Sequence, residues 1–142
     1  SGNAGRTFGK EGIDPVIIEV NQGTCAGMVR YPPKLIGGAD LVLFSNPSVQ
    51  DRGRCHGVLR GSRDGGRTWE YAEELNSADD WFDYSSIAVT HRGVILVMAK
   101  STSNGRGLPG FAKACSIVVF RVSLEWLTRG QMDVTATGAD KN

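Results

Sequence analysis

Ser62-Arg63-Asp64-Gly65-Gly66-Arg67-Thr68-Trp69 decides the fold, because the chain carries this octapeptide twice. The earlier copy, Ser1-Gly2-Asn3-Ala4-Gly5-Arg6-Thr7-Phe8, fits the same pattern Ser-x-Asp/Asn-x-Gly-x-Thr-aromatic and starts 61 positions upstream (62 − 1). Constrained positions recurring in order at that period point to stacked β units. Each copy also has the chemistry of a tight turn. A short Asp or Asn side chain accepts backbone N–H groups, Gly supplies a positive φ, and a β-branched Thr followed by an aromatic residue starts the returning strand. The first copy stands at residue 1, so the numbering opens inside a repeat and the chain reads as the tail of a longer protein.

Composition agrees with a turn-rich β protein. The 142 residues include 19 glycines and are 40% hydrophobic, more in keeping with strands and turns than with helices. The net charge of +1 leaves no electrostatic footprint for nucleic acid or an anionic membrane surface. No stretch approaches the ~18 apolar residues of a membrane span. Cys25, Cys55 and Cys115 cannot all pair within the chain and read as buried thiols. His56 and His91 lack metal-ligand spacing, so no metal is expected.

Short apolar runs punctuated by Gly, Pro, Asn and Asp predict strands near Val16–Val20, Ala26–Tyr31, Leu41–Ser45, Cys55–Ser62, Thr68–Leu75, Ser85–Thr90, Val94–Ala99 and Ser116–Val122. One short helix is expected over Leu124–Arg129. Ser101–Gly110 is a Gly/Ser-rich loop, long for a hairpin. If consecutive strands run up and down, each octapeptide joins the third strand of a unit to its fourth, and the 61-residue step holds four strands, one blade of a β-propeller. The chain then carries the fourth strand of one blade, all of the next and three strands of another. Residues 1–130 are assigned to these blades and 131–142 to a polar C-terminal tail. Loops joining strand 2 to 3, and strand 4 to the next strand 1, share one face; the octapeptides lie on the other and are architectural.

The octapeptide resembles the Asp-box (BNR repeat), and the chain from Ser1 to about Trp126 resembles the C-terminal third of an exo-α-sialidase (neuraminidase), a six-bladed propeller. Further residues carry the resemblance. Leu43-Phe44-Ser45-Asn46-Pro47 looks like the family's strand ending in Phe-Ser-Asn/His-Pro. Arg54, eight residues before Ser62, is similar to the family's third carboxylate-binding arginine. Tyr84-Ser85-Ser86-Ile87 resembles the motif of the nucleophilic tyrosine. Ile117-Val118-Val119-Phe120 and Leu124-Glu125-Trp126-Leu127 resemble the closing strand and Leu-x-Trp-Leu ending. The strand count agrees independently. Arg54 stands at the entrance to strand 3 of its blade and Tyr84 at the entrance to strand 1 of the next, both on the face opposite the octapeptides.

The resemblance implies hydrolysis of terminal sialic acids on glycoproteins, gangliosides and oligosaccharides, with retention and no cofactor. It favours a secreted or cell-surface setting. A guanidinium pairs bidentately with the substrate carboxylate, the role implied for Arg54. A neutral phenol approaches the anomeric carbon beside that carboxylate without like-charge repulsion, the role implied for Tyr84. Free tyrosine titrates near 10, so the phenol needs a neighbouring base. The glutamate, the two further arginines and the acidic aspartate of the family match no position here. Arg52 competes for the Arg54 role if the alignment slips, and Arg30 reads as structural or rim. Lys100 stands where the family usually places a glutamate that braces the first arginine. It implies an altered carboxylate site, an inactive homologue, or an arginine braced by another acid. Asp79, Asp80 and Asp83, just before Tyr84, could supply that acid or modulate the phenol, against the alternative of a solvated acidic loop. The rival reading of the whole is a non-catalytic Asp-box propeller that binds sialoglycans or proteins.

Overall fold

The structure, a computed structural model, describes residues 3–20, 23–49, 53–102 and 116–135. Among them, β1 (Gly27–Arg30), β2 (Val42–Pro47), β3 (Gly57–Ser62) and β4 (Tyr71–Glu74) form one antiparallel sheet, and β5 (Phe82–Val89), β6 (Ile95–Ser101) and β7 (Ser116–Val122) form a second. Both sheets keep chain order, so each is a meander. Alternation decides what lies between them. In β6, Ile95, Val97, Ala99 and Ser101 are buried while Leu96, Met98 and Lys100 are not. The inward set meets Leu43, Leu59 and Tyr71 of the first sheet in one core with Phe82 and Ile87. Leu124 and Leu127 of α1 (Leu124–Thr128) join it, and Ser123 caps that helix through its hydroxyl, which accepts the Trp126 N–H.

The described residues of the first octapeptide repeat the turn of the second. Asp64 Oδ1 accepts the backbone N–H groups of Arg67 and Thr68, both at 2.9 Å, and Oδ2 accepts the Thr68 hydroxyl at 2.8 Å. Asn3 Oδ1 likewise accepts the Thr7 N–H at 2.9 Å. Ala4 and Gly5 repeat the positive φ values of Gly65 and Gly66. The Thr68 bonds, first among the causes, hold the Asp64 carboxyl well below its usual pKa. Ser1 and Gly2 of the first copy lie outside the described residues, as do Arg52, Cys115 and the expected loop beyond Thr102.

Two expectations fail. Val16–Val20 is not a strand. Asp14 Oδ1 accepts the N–H groups of Val16 and Ile17, so the local side chain takes donors that a ladder needs and the backbone turns. The turn is pinned to the first sheet. Trp69 Nε1 donates to Asp14 Oδ2, and Asn46 Nδ2 donates to the Ile18 carbonyl. Cys25 is exposed, whereas Cys55 is buried as expected. A smaller difference bears on the site. β5 starts at Phe82, three residues before its expected start, because Phe82 and Asp83 pair with Ser101 and Lys100.

Candidate active site

The strands of both sheets run between two ends, one carrying the Ser62–Trp69 turn. At the other end, Arg54 stands three residues before β3 and Tyr84 two residues into β5. There the Arg54 carbonyl accepts the Phe82 N–H at 2.8 Å, and Cys55 bridges Trp81. These backbone links bring the two segments together despite their separation in sequence. Gly57 permits the approach, because its missing Cβ is the space that the Phe82 ring fills.

On that frame Arg54 Nη1 donates to the Tyr84 hydroxyl at 2.9 Å and to Asp83 Oδ2 at 2.8 Å. The guanidinium carbon lies 5.1 Å from the centre of the Tyr84 ring, within cation–π range. Asp83 is fully buried, the Arg54 side chain is 18% exposed, and Tyr84 is 51% exposed. The cluster is thus graded, with a buried anion, a half-sheltered cation and an accessible phenol. The Asp83 bond first, and then that to Tyr84, raises the pKa of a guanidinium already charged throughout the ordinary range.

Tyr84 sits in an irregular stretch. Between Asp83 and Ser86, β5 advances three positions where β6 advances two, so one residue is extra. Tyr84 takes up the bulge with φ +50°, a left-handed conformation unusual for an aromatic residue. The segment 24–25 is bonded alongside it. Thr24 Oγ1 accepts the Tyr84 N–H at 3.3 Å, and the Cys25 carbonyl accepts the Ser85 N–H at 3.1 Å. Beneath, Ser85 Oγ donates to the Ser45 carbonyl and accepts the Gly27 N–H, tying β5 to β1 and β2.

The other expected residues divide. Asp83 is no part of a solvated loop, because it lies in β5 with both carboxylate oxygens bonded. Asp80 Oδ2 accepts the Ser77 hydroxyl and its carbonyl accepts the His56 N–H, so it serves a turn, and Asp79 is exposed. Lys100 occupies the register position opposite Asp83, half-buried. Arg30 pairs with Asp40 at 2.8 Å on the surface and is a rim residue. Thr24 had no motif to mark it. The strand count places the entrance of β1 at this same end, and that was the available signal.

No protein-family model matches the sequence, and no curated protein matches it significantly. Solved structures do. An intramolecular trans-sialidase from Ruminococcus gnavus, in complex with oseltamivir carboxylate, matches with a TM-score of 0.70 at 16% identity over 90% of this chain and 28% of that one. The chain has the sialidase fold. The NanB sialidase of Streptococcus pneumoniae matches at 26% identity and a TM-score of 0.53, covering 62% of this chain and 14% of its own. A leech intramolecular trans-sialidase matches at 20% identity and a TM-score of 0.57, covering 75% and 17%. The chain therefore spans between 14% and 28% of the length of these sialidase structures. The two meandering sheets are propeller blades of that fold.

Proposed function

We propose that the chain is part of an exo-α-sialidase acting on terminal sialic acids of glycoconjugates, with Tyr84 as the nucleophile of a retaining mechanism and Arg54 as a ligand for the substrate carboxylate. One observation carries the reading. On a sialidase fold, Arg54 Nη1 and the Tyr84 hydroxyl meet at 2.9 Å with the phenol open to solvent. A guanidinium that faces a phenol can hold a carboxylate on the anomeric carbon while the phenol attacks that carbon from one face of the ring. The bond that forms is Tyr84 Oη to the anomeric carbon, and the bond that breaks is the glycosidic one. Water then attacks the same carbon and releases the tyrosine, so two inversions give net retention. Both octapeptides serve as Asp-box turns at the far end. The general acid, the base for the phenol and two further arginines are contributed by residues outside this chain, in keeping with the share of the sialidase structures that it spans.

The experiment is turnover of a fluorogenic α-sialoside by the complete protein and its Tyr84→Phe variant. Phenylalanine keeps the ring and deletes the attacking oxygen, so most of the activity is lost. Parental turnover by the variant removes the phenol from the mechanism.

A second reading rests on Lys100, a cation where the family resemblance calls for a glutamate. Under it the propeller binds sialoglycans without cleaving them. An inert parent protein that still binds an immobilised sialoside through Arg54 identifies that case.

A further inference from the structure

We propose that Thr24 and Asp83 form a positioning pair that sets the direction of both Arg54 and Tyr84, an inference that rests on the roles given to those two residues above. The wiring of one hydroxyl carries it. Thr24 Oγ1 donates to Asp83 Oδ1 at 2.5 Å and accepts the Tyr84 N–H at 3.3 Å. A hydroxyl has one hydrogen, so with that hydrogen committed to the carboxylate its lone pair faces the amide. The Asp83 carboxylate is in turn committed on both sides, Oδ1 to Thr24 and Oδ2 to Arg54 Nη1. It is fully buried, where an ionised group persists only if paired and hydrogen-bonded.

Four groups therefore close on one another. The Thr24 hydroxyl holds the Tyr84 backbone, Asp83 holds the Arg54 guanidinium, and Arg54 holds the Tyr84 hydroxyl at 2.9 Å. Tyr84 needs holding, because a left-handed φ is unfavourable for an L-residue and surrounding bonds must offset it. Released from Thr24, the bulge relaxes and the ring swings. Released from Asp83, the guanidinium loses the buried anchor that fixes its plane beneath the phenol. Neither Thr24 nor Asp83 has to touch a substrate. They act through Arg54 and Tyr84.

The test compares the complete protein with its Thr24→Val, Thr24→Ser and Asp83→Asn variants by two readouts. The first is kinetics on a fluorogenic α-sialoside. Misplacing a reacting group by about 1 Å costs ~100-fold, so Thr24→Val and Asp83→Asn each lose on that order in kcat/KM. For Thr24→Val the loss falls mainly on kcat, and Thr24→Ser, which keeps the hydroxyl, recovers most of it. The second readout is the side-chain NMR signal of Arg54, assigned with Arg54→Lys. Its guanidinium rotates slowly in the parent and freely in Asp83→Asn. A parent inert towards the sialoside sinks the proposed function, and the NMR comparison then decides the positioning pair alone. Parental kcat/KM in both Thr24→Val and Asp83→Asn overturns the pair, as does an unchanged Arg54 signal in Asp83→Asn. If Thr24→Val fails to fold, Asp83→Asn, which preserves volume, carries the test.

Discussion

Gly57→Ala is the perturbation most directly fixed by the geometry. A Cβ built on Gly57 falls among the ring carbons Cγ, Cδ2 and Cε2 of Phe82. The ring cannot retreat, because Phe82 is fully buried and packs on Phe120 with centroids 6.0 Å apart. Gly57 cannot retreat either. It pairs with Pro47 across β2 and β3, its N–H donates to Asn76 Oδ1 at 2.6 Å, and its carbonyl accepts the Leu75 N–H at 2.8 Å. Its φ is not positive, so the cost is steric alone. Overpacking costs 1–3 kcal/mol, and collision with a rigid ring puts this case near ~3 kcal/mol. At a urea slope of ~1–3 kcal/mol/M the unfolding midpoint drops by roughly 1–3 M. Tryptophan fluorescence follows it in the complete protein. Gly12→Ala is the control, with open space around its Cβ and an ordinary φ, and its midpoint holds or rises slightly. Because Phe82 immediately precedes Asp83 and Tyr84, the proposed function adds a second expectation, that Gly57→Ala lowers sialoside turnover. An unchanged midpoint refutes the claim that the missing Cβ is what lets β5 approach β3.

Three further outcomes are expected. Asp64→Asn keeps the octapeptide folded at neutral pH, since Asn3 makes the corresponding turn bond in the first copy, whereas Asp64→Ala lowers the melting temperature. The folded carboxyl of Asp64 is depressed, so its stabilisation is complete above the unfolded value of about 3.9 and fades on acidification below it. Melting curves between pH 2 and pH 7 should show that dependence weakened in Asp64→Asn. Ser85→Ala leaves the Gly27 N–H buried without its acceptor, a loss of about 1–3 kcal/mol by urea titration. If Arg54 binds the substrate carboxylate as proposed, Arg54→Lys, which keeps the charge but not the planar fork, raises the KM for the sialoside while the fold is retained, as read by circular dichroism.

Local chemistry was legible in the chain and remote chemistry was not. The octapeptide announces its turn because donor and acceptor lie within one short stretch, as between Asp64 and Thr68. Arg54 and Tyr84 were singled out by their resemblance to family motifs, and strand counting independently put both at one end. Counting antiparallel strands gives the end of the sheet at which each residue falls, without any knowledge of contacts. The same counting placed the loop that leads into the Ala26–Tyr31 strand at that end but could not single out Thr24, whose bonds to Asp83 and Tyr84 span 59 and 60 positions. Asp83 looked like a member of an acidic loop because burial of a charge depends on partners that arrive from elsewhere in the chain. Val16–Val20 misled because its apolar pattern is strand-like. The competing signal was Asp14, two residues before Val16, whose carboxylate takes the donors that a ladder would have used.

Lys100 gives the sharpest contrast between a family pattern and this molecule. By that pattern a glutamate belongs here, so Lys100→Glu looks like a repair. The register says otherwise. Lys100 lies directly opposite Asp83, and residues in such a pair have Cβ atoms only about 4.5–5.5 Å apart. Asp83 is buried and both of its carboxylate oxygens are already bonded, to Thr24 and Arg54. A second carboxylate opposite it destabilises the strand pair by up to ~1 kcal/mol and competes for the same guanidinium. Lys100→Glu is therefore expected to lower both the urea midpoint and sialoside turnover. Lys100→Met, which keeps the apolar stem and adds no anion, leaves the midpoint near the parent's. A gain of turnover in Lys100→Glu would show that the brace implied by the family resemblance, and not the Asp83 anchor, governs this end of the sheet.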